Sequence, residues 1–440
     1  MAMNMGPLRV AAAASFARVQ PTGTVRSIVT LASRVGHLHC TCCCCSSRSS
    51  PLPSKGIWSR TRRFATEPSA GVRAAKVPHQ ALLSVEGRDA IKLLQGLVTN
   101  DVRRLEAGGD ALYCAFLNPQ GRMIATAFLH LIAPDHVLVD TDARTAESLL
   151  AFIKRFKVRS KVKLSDVSHE YSVWALWGAG SEEVIEQLKG DGSGIVVLSR
   201  DGRTPEMGHR LLAKAEAQLP AAITGLASST NTQQDAYTVH RTLQGIPEGP
   251  LEILPNQSLP LEASLDYAGG VDFRKGCYVG QELTARTHHT GVVRKRVVPV
   301  SLYSLGQAPQ PPAALAYDEP SAQQHLQPDS GADVRSVPAA ASSSSAASEA
   351  PARPARGRSA GKYLSGIGNV GLALLRLEQV ARWTEPGIEG AADTDGLLIR
   401  TKVGDEDVGM RPWIPSWWPK AESEGRGKPA VGVGEHGVPE

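Results

Sequence analysis

Apolar and polar positions recur along this chain with two periods, and the switches between them outline its elements. Ala81–Val85 is a short apolar run that reads as a strand. Gly87-Arg88-Asp89 leads into an amphipathic helix whose apolar positions are Ile91, Leu93, Leu94 and Leu97, with Asn100-Asp101 as the turn that follows it. Ala111–Leu117 and Met123–Ile132 read as strands joined by the Asn118–Arg122 turn, and Val137–Val139 as another. Ala143–Phe156 returns to the helical period, with Leu149, Leu150, Ile153 and Phe156 on one side. Strands are expected over Val158–Leu164 and Tyr171–Leu176, and a helix over Ser181–Leu188. Asp235–Gln244 reads as a helix capped by Gly245, with Pro247 beyond. β-type sequence returns at Val292–Leu302, Gly368–Leu375 and Gly396–Val403, enough to close a small barrel.

Hairpins mixed with helices argue for an α+β fold of mixed or antiparallel sheets, not a doubly wound parallel sheet. No GxGxxG or Walker A loop stands at a strand–helix junction. Residues 305–361 break the pattern: they are rich in Ala, Pro and Ser and hold few large apolar side chains. Such a stretch buries too little to offset its ordering entropy, and a disordered insertion is expected there. The chain thus divides into a leader over 1–64, a core over 65–230 and 231–290, a barrel over 291–420 with that insertion, and a disordered tail over 421–440. Trp413, Trp417 and Trp418 read as a core plug, with an exposed anchor as the alternative.

Residues 1–64 carry nine basic residues and no Asp or Glu, and are rich in Ala and Ser. That is the composition of an organelle transit peptide, and its apolar runs are too short to span a membrane. Arg62-Arg63-Phe64-Ala65-Thr66 reads as a matrix-protease site, which points to the mitochondrial matrix, with the plastid as the alternative. The whole chain has 48 basic and 43 acidic residues, net +5. Without the leader's nine cations, 39 basic residues face 43 acidic ones, net −4. A mildly acidic chain argues against a nucleic-acid partner. A stripe at Lys154, Arg155, Lys157, Arg159, Lys161 and Lys163 remains, read as a solvated face. Five of the seven cysteines lie in the leader, leaving Cys114 and Cys277. Two thiols are no disulfide framework and suit a reducing compartment.

The candidate chemistry sits in Lys275-Gly276-Cys277-Tyr278-Val279-Gly280-Gln281-Glu282, continuing to Arg286. Gly276 and Gly280 permit a tight turn, and Gln281–Arg286 read as the first turns of a helix with Glu282 near its positive end. A thiol at a helix N-terminus beside Arg274 and Lys275 is expected to ionise readily, and thiolates are nucleophiles and soft metal ligands. One thiol does not complete a four-ligand cluster site, so a cluster on Cys277 needs ligands from elsewhere. His288-His289 read as surface residues in an extended segment, pointing to opposite sides. Ser264 and Asp266 near Tyr267 form no hydrolase elbow.

KGCYVGQE followed by TART resembles the signature of the YgfZ/GcvT-like family, in its mitochondrial iron–sulfur branch. Leu93–Val102, Leu117–Arg122, Tyr237–Pro247 and Pro415–Pro419 are similar to its other blocks. The resemblance implies helices and sheets around a central folate-type pocket, followed by a small C-terminal β-barrel. It implies that Asn100, Asp101 and Arg241 contribute to that pocket, with tetrahydrofolate as the ligand. It implies that Cys277 acts as a transient cluster ligand or a redox-sensitive thiol. An A-type scaffold protein would supply the remaining thiolates, and [4Fe–4S] enzymes such as lipoyl synthase and aconitase-type dehydratases would be the recipients. The alternative is a folate-dependent one-carbon transferase similar to the aminomethyltransferase of glycine cleavage. That chemistry needs an acid just after the turn at Gly121, where this chain has Arg122-Met123-Ile124. The resemblance therefore implies an assembly factor without turnover chemistry of its own.

Overall fold

The computed structural model describes residues 71–108, 111–189, 194–217, 223, 230–305, 311–318, 326–338, 357–384 and 397–419. The expected leader with its cleavage point, and the expected tail, lie outside them.

The first sheet comprises β2 (Gln80–Glu86), β3 (Leu112–Leu117), β4 (Met123–Ala133), β5 (His136–Asp142) and β6 (Lys163–Asp166), in the order β3-β4-β5-β2-β6. The second comprises β1 (Arg73–Lys76), β7 (Tyr171–Trp177), β8 (Ile195–Arg200) and β9 (His209–Lys214), in the order β1-β7-β9-β8. Pairing is antiparallel throughout both sheets among the described residues. The mixed α+β expectation therefore holds.

Period-two alternation decides which side of the first sheet meets what. In β4, Ala125, Ala127 and Leu129 join the cluster formed with α1 (Ala90–Gln95) and α3 (Ala143–Lys157), through Leu93, Leu94, Leu149 and Ile153. Leu82 and Leu138 join a separate cluster with Ala75, Val173, Trp177 and Leu212 of the second sheet. The two sheets thus share an interior. The second sheet's other side is covered by α4 (Ser181–Leu188) through Ile185 and Leu188. The short α2 (Arg103–Glu106) follows α1.

Then come α5 (Thr230–Leu243), α6 (Gly249–Glu252) and α7 (Gln281–Thr290). Gly245 takes φ 72° just after α5, as its expected cap role requires. The chain ends in a closed barrel: β10 (Lys295–Ser304), β13 (Val370–Arg376), β12 (Arg358–Ile367), β11 (Asp333–Pro338), β14 (Leu397–Val403) and β15 (Glu406–Pro412), in that order. α8 (Leu377–Thr384) follows β13.

Two sequence expectations are corrected. No strand runs over Val158–Leu164: α3 ends at Lys157, Val158 turns with φ 39°, and β6 starts only at Lys163. The intervening chain is drawn to α1, where Lys161 N donates to Asp89 Oδ2 at 2.7 Å. The segment 305–361 is not disordered throughout, because Asp333–Pro338 is a barrel strand and β12 begins at Arg358. Val334 and Ser336 point inward while Asp333 and Arg335 are exposed, a strand period short enough to be lost within the Ala/Ser-rich composition.

A buried cation helps tie the barrel to the core. Arg296 of β10 donates to both oxygens of Asp266 at 2.8 Å and to the carbonyl of Leu261 at 2.7 Å. Its guanidinium lies 3.8 Å from the Tyr267 ring centroid and 5.7 Å from that of Trp418. Trp413 is buried and donates to Ser301 Oγ, and Trp417 donates to the carbonyl of Gln244. The tryptophans therefore serve as a plug. Removing one partner of a buried ion pair strands the other charge. Asp266→Ala should lower unfolding free energy by about 3 kcal/mol. Glu186→Ala, at the exposed Lys189 pair, should cost less than about 0.5 kcal/mol; urea titrations of both check this.

Candidate functional site

The segment from Gly269 to Gly280 lies across the C-terminal end of α1. Lys275 Nζ donates to three carbonyls there, those of Gln95 (2.8 Å), Val98 (2.6 Å) and Asn100 (2.8 Å). The first is a carbonyl at the end of a helix, where a cation also complements the dipole. Backbone bonds run alongside: Val279 N to the Gly96 carbonyl and Asp272 N to that of Thr99. Thr99 Oγ1 donates to the carbonyl of Gly270, and Asn100 Nδ2 to those of Tyr113 and Gly269. Burial lowers Lys275 to about 8, while Asp101 and Asp272 pull the other way.

A second constraint holds the other end. Gly121 and Gly280 take φ 78° and 79° and pack against each other. A Cβ on Gly280 would run into the carbonyl oxygen of Asn118, and one on Gly121 into Leu283 and the carbonyl of Gly280. The Asn118–Arg122 turn and the signature turn therefore interlock, and only glycine satisfies both the dihedral and the approach.

Between these anchors Cys277 is exposed to solvent. Its expected place at a helix N-terminus is corrected: α7 starts at Gln281 and its N-cap is Gly280, three residues on. The flanking cations are also engaged elsewhere, Lys275 with the three carbonyls and Arg274 near Asp272. What the fold provides is a presented thiol on a braced loop. Tyr278 is partly buried, its N donates to Gln281 Oε1, and its ring lies 4.9 Å from Lys275 Nζ. Gly276, Glu282 and Arg286 are exposed near it in sequence. His288 and His289 lie in α7, not in an extended segment, and His288 stacks on Phe273 with ring centroids 3.6 Å apart. Cys114 is buried, which pushes its thiol up to about 12. Among the described residues, no group of three or more His, Cys, Asp or Glu is arranged to hold a metal ion.

The positions expected to hold folate are committed to the protein itself. Asn100 spends its amide as above and accepts from Asp101 N. Asp101 pairs with Arg103 at 2.6 Å, and that hydrogen bond lowers its carboxyl to about 2. Arg241 gives both guanidinium arms to Glu252, at 2.6 and 2.9 Å. Glu252 also accepts from Ser365 of β12, so this fork joins core to barrel. The residues do not fit a folate carboxylate at Arg241.

Sequence reasoning missed the cluster that fills the interior between the sheets. Arg203 donates to Asp201, Glu248 and Tyr237, and lies 4.9 Å from the Phe128 ring centroid. Arg210 donates to Asp140 at 2.6 Å and lies 4.6 Å from the same ring. A sequence hint was His130, a titratable residue in a mostly apolar strand; burial lowers its pKa. Burial alone would raise Glu248, but Arg203, Arg241 and Arg210 hold it at about 2.

These features define a class: a GcvT-type core with an antiparallel barrel and a braced, exposed cysteine. Residues 67–194 match the GCVT N-terminal domain family, and residues 294–420 the CAF17 C-terminal beta-barrel domain family. The fold is similar to the glycine cleavage system aminomethyltransferase T from Bartonella henselae, with TM-score 0.52 and 15% identity, covering 80% of this chain and 87% of that one. The chain is 45% identical over 372 residues to a Mycosarcoma maydis protein named iron-sulfur cluster assembly factor IBA57 homolog, mitochondrial, covering 81% of this chain and 87% of that one. It is 38% identical over 363 residues to the Pyricularia oryzae protein of the same name, covering 79% and 85%. The chain belongs to the IBA57 family of iron–sulfur cluster assembly factors.

Two outcomes test this site. Gly280→Ala should destabilise the fold by about 2 kcal/mol or more. Gly269→Ala, also at positive φ but with open space around it, should cost about 1 kcal/mol. Urea midpoints compare them. Glu248 is depressed in the fold, so its contribution is complete above its ordinary 4.5 and is lost as pH falls from there to about 2. That contribution is on the order of 3 kcal/mol, and in Glu248→Gln the stability–pH slope between those values should flatten.

Proposed function

We propose that this chain assists the assembly of iron–sulfur clusters in mitochondria, with Cys277 supplying one thiolate to a cluster held jointly with a partner. The observation that carries this is the exposed Cys277 on a loop fixed at both ends. A ligand that must meet a partner's thiolates gains from such preorganisation, because little loop entropy remains to be lost on binding. The described residues around it offer no set of three ligands, which favours a shared site over a resident one. On binding iron the thiol gives its proton to solvent, and release to a recipient exchanges this thiolate for one of the recipient's, with no change in oxidation state.

An A-type scaffold protein is the proposed source of the other thiolates, and [4Fe–4S] enzymes such as lipoyl synthase and aconitase-type dehydratases are the proposed recipients. The relatives are named mitochondrial, and the acid-free, basic residues 1–64 support the same address, in the matrix. Folate transfer chemistry is not favoured. Arg122 follows the Gly121 turn where an acid is needed, and it donates to the carbonyl of Gln257.

Anaerobic reconstitution with iron and sulfide, with and without an A-type scaffold, tests the reading by absorption and Mössbauer spectra. A cluster-bearing complex should form with the wild type, and Cys277→Ser should lose it while keeping its thermal transition. A cluster equally abundant in Cys277→Ser would overturn the thiol's role.

A further inference from the structure

The chain also forms a concave region where α7 meets the entry to the barrel. A cavity of about 450 Å³ opens there, within the range of small-molecule sites. Leu259, Leu261, Leu283 and Val293 supply apolar wall. Arg294, Lys295 and Arg376 supply three cations, against the single carboxylate of Glu262.

The cations are placed in a way that folding alone does not favour. Lys295 of β10 and Arg376 of β13 are direct cross-strand partners, and like charges directly opposite destabilise a sheet. Arg294 adds a third charge next in sequence. Among the described residues none of the three forms an ion pair. Glu262 is one carboxylate against these three cations; burial disfavours its charged form, while Lys295 and Arg122 favour it. Thr284, on the same lining, is buried with a hydroxyl that finds no hydrogen-bond partner among the described residues. An excess of positive charge beside an apolar wall is the complement of an anion with an apolar body.

We infer that this cavity binds a small organic acid, its carboxylate on Lys295, Arg376 and Arg294 and its apolar body against Leu259, Leu261, Leu283 and Val293. The site is independent of the cluster role of Cys277. Leu283 nevertheless belongs to both neighbourhoods: it lines the cavity and packs against Gly121, so an occupant touches the helix that follows the Cys277 loop.

The test titrates the full chain with 4-phenylbutyrate by calorimetry, with 4-phenylbutanol as the uncharged counterpart. The acid should bind, and the alcohol should bind about tenfold more weakly or worse, as expected when charge-assisted hydrogen bonds are lost. Arg376→Glu places a carboxylate opposite Lys295 and turns the repulsive pair into an attractive one. It should therefore raise the melting temperature while lowering affinity for the acid at least about tenfold. The pair of readouts separates loss of the site from loss of the fold. No binding to the wild type, equal affinity of acid and alcohol, or unchanged affinity in Arg376→Glu would each overturn the proposal.

Discussion

One ammonium group fixes the geometry on which the candidate site depends. Lys275 reaches from the signature loop into the end of α1 and ties together three carbonyls, at Gln95, Val98 and Asn100. Without it those oxygens would end a helix and a turn with fewer partners, a costly state for buried backbone. Gly280 seats the loop's other end against the turn at Asn118–Gly121. Cys277 lies between the two, and its exposure follows from both. Lys275, which reads in sequence as an activator of the thiol, therefore acts in the fold as a brace.

A shared fold need not mean shared chemistry, and the interior of this chain is filled by its own ion pairs. The likeness to an aminomethyltransferase lies in the arrangement of sheets and barrel. Between the sheets, however, stand Arg203, Arg210, Asp140, Asp201 and Glu248, paired as Arg203 with Asp201 and Glu248 and Arg210 with Asp140. Buried charges of this kind are tolerated only when paired, and each pairing consumes a group that a ligand would otherwise use. Arg241 is the plainest case, since its fork is filled by Glu252 and through it reaches Ser365 of the barrel. Through Glu252 and Ser365 this interior pairing also joins the core to the barrel.

The barrel is held on the same principle. Arg296 spans from β10 to Asp266 and is flanked by Tyr267 and Trp418, so charge pairing and ring contact act at one point. Trp417 bonds the carbonyl that follows α5, and Gly245 lies against Pro299 and Pro415. The terminal Pro415–Pro419 segment thereby links the turn after α5 to the barrel.

The sequence by itself determined the elements whose signal is local. Met123–Ile132, Ala143–Phe156 and Ser181–Leu188 show their periods within a dozen residues, because a strand repeats every two and a helix every 3.6. It also singled out the signature motif and the Gly121 and Gly280 turns, since positive φ leaves a residue-type mark. The tertiary structure alone decided what those motifs do. Lys275 binds carbonyls 175 to 180 residues away, and a backbone oxygen carries no side-chain signature. Val158–Leu164 has strand composition, but Lys161 is held by Asp89 and pairing with a neighbouring strand starts only at Lys163. Asp333–Pro338 has too few residues to stand out from its surroundings, and became a strand because β12 and β14 were there to pair with it. Arg241 found Glu252 and Arg203 found Glu248 only through folding, and that proximity, set by packing of distant segments, decided which charges are paired within the protein.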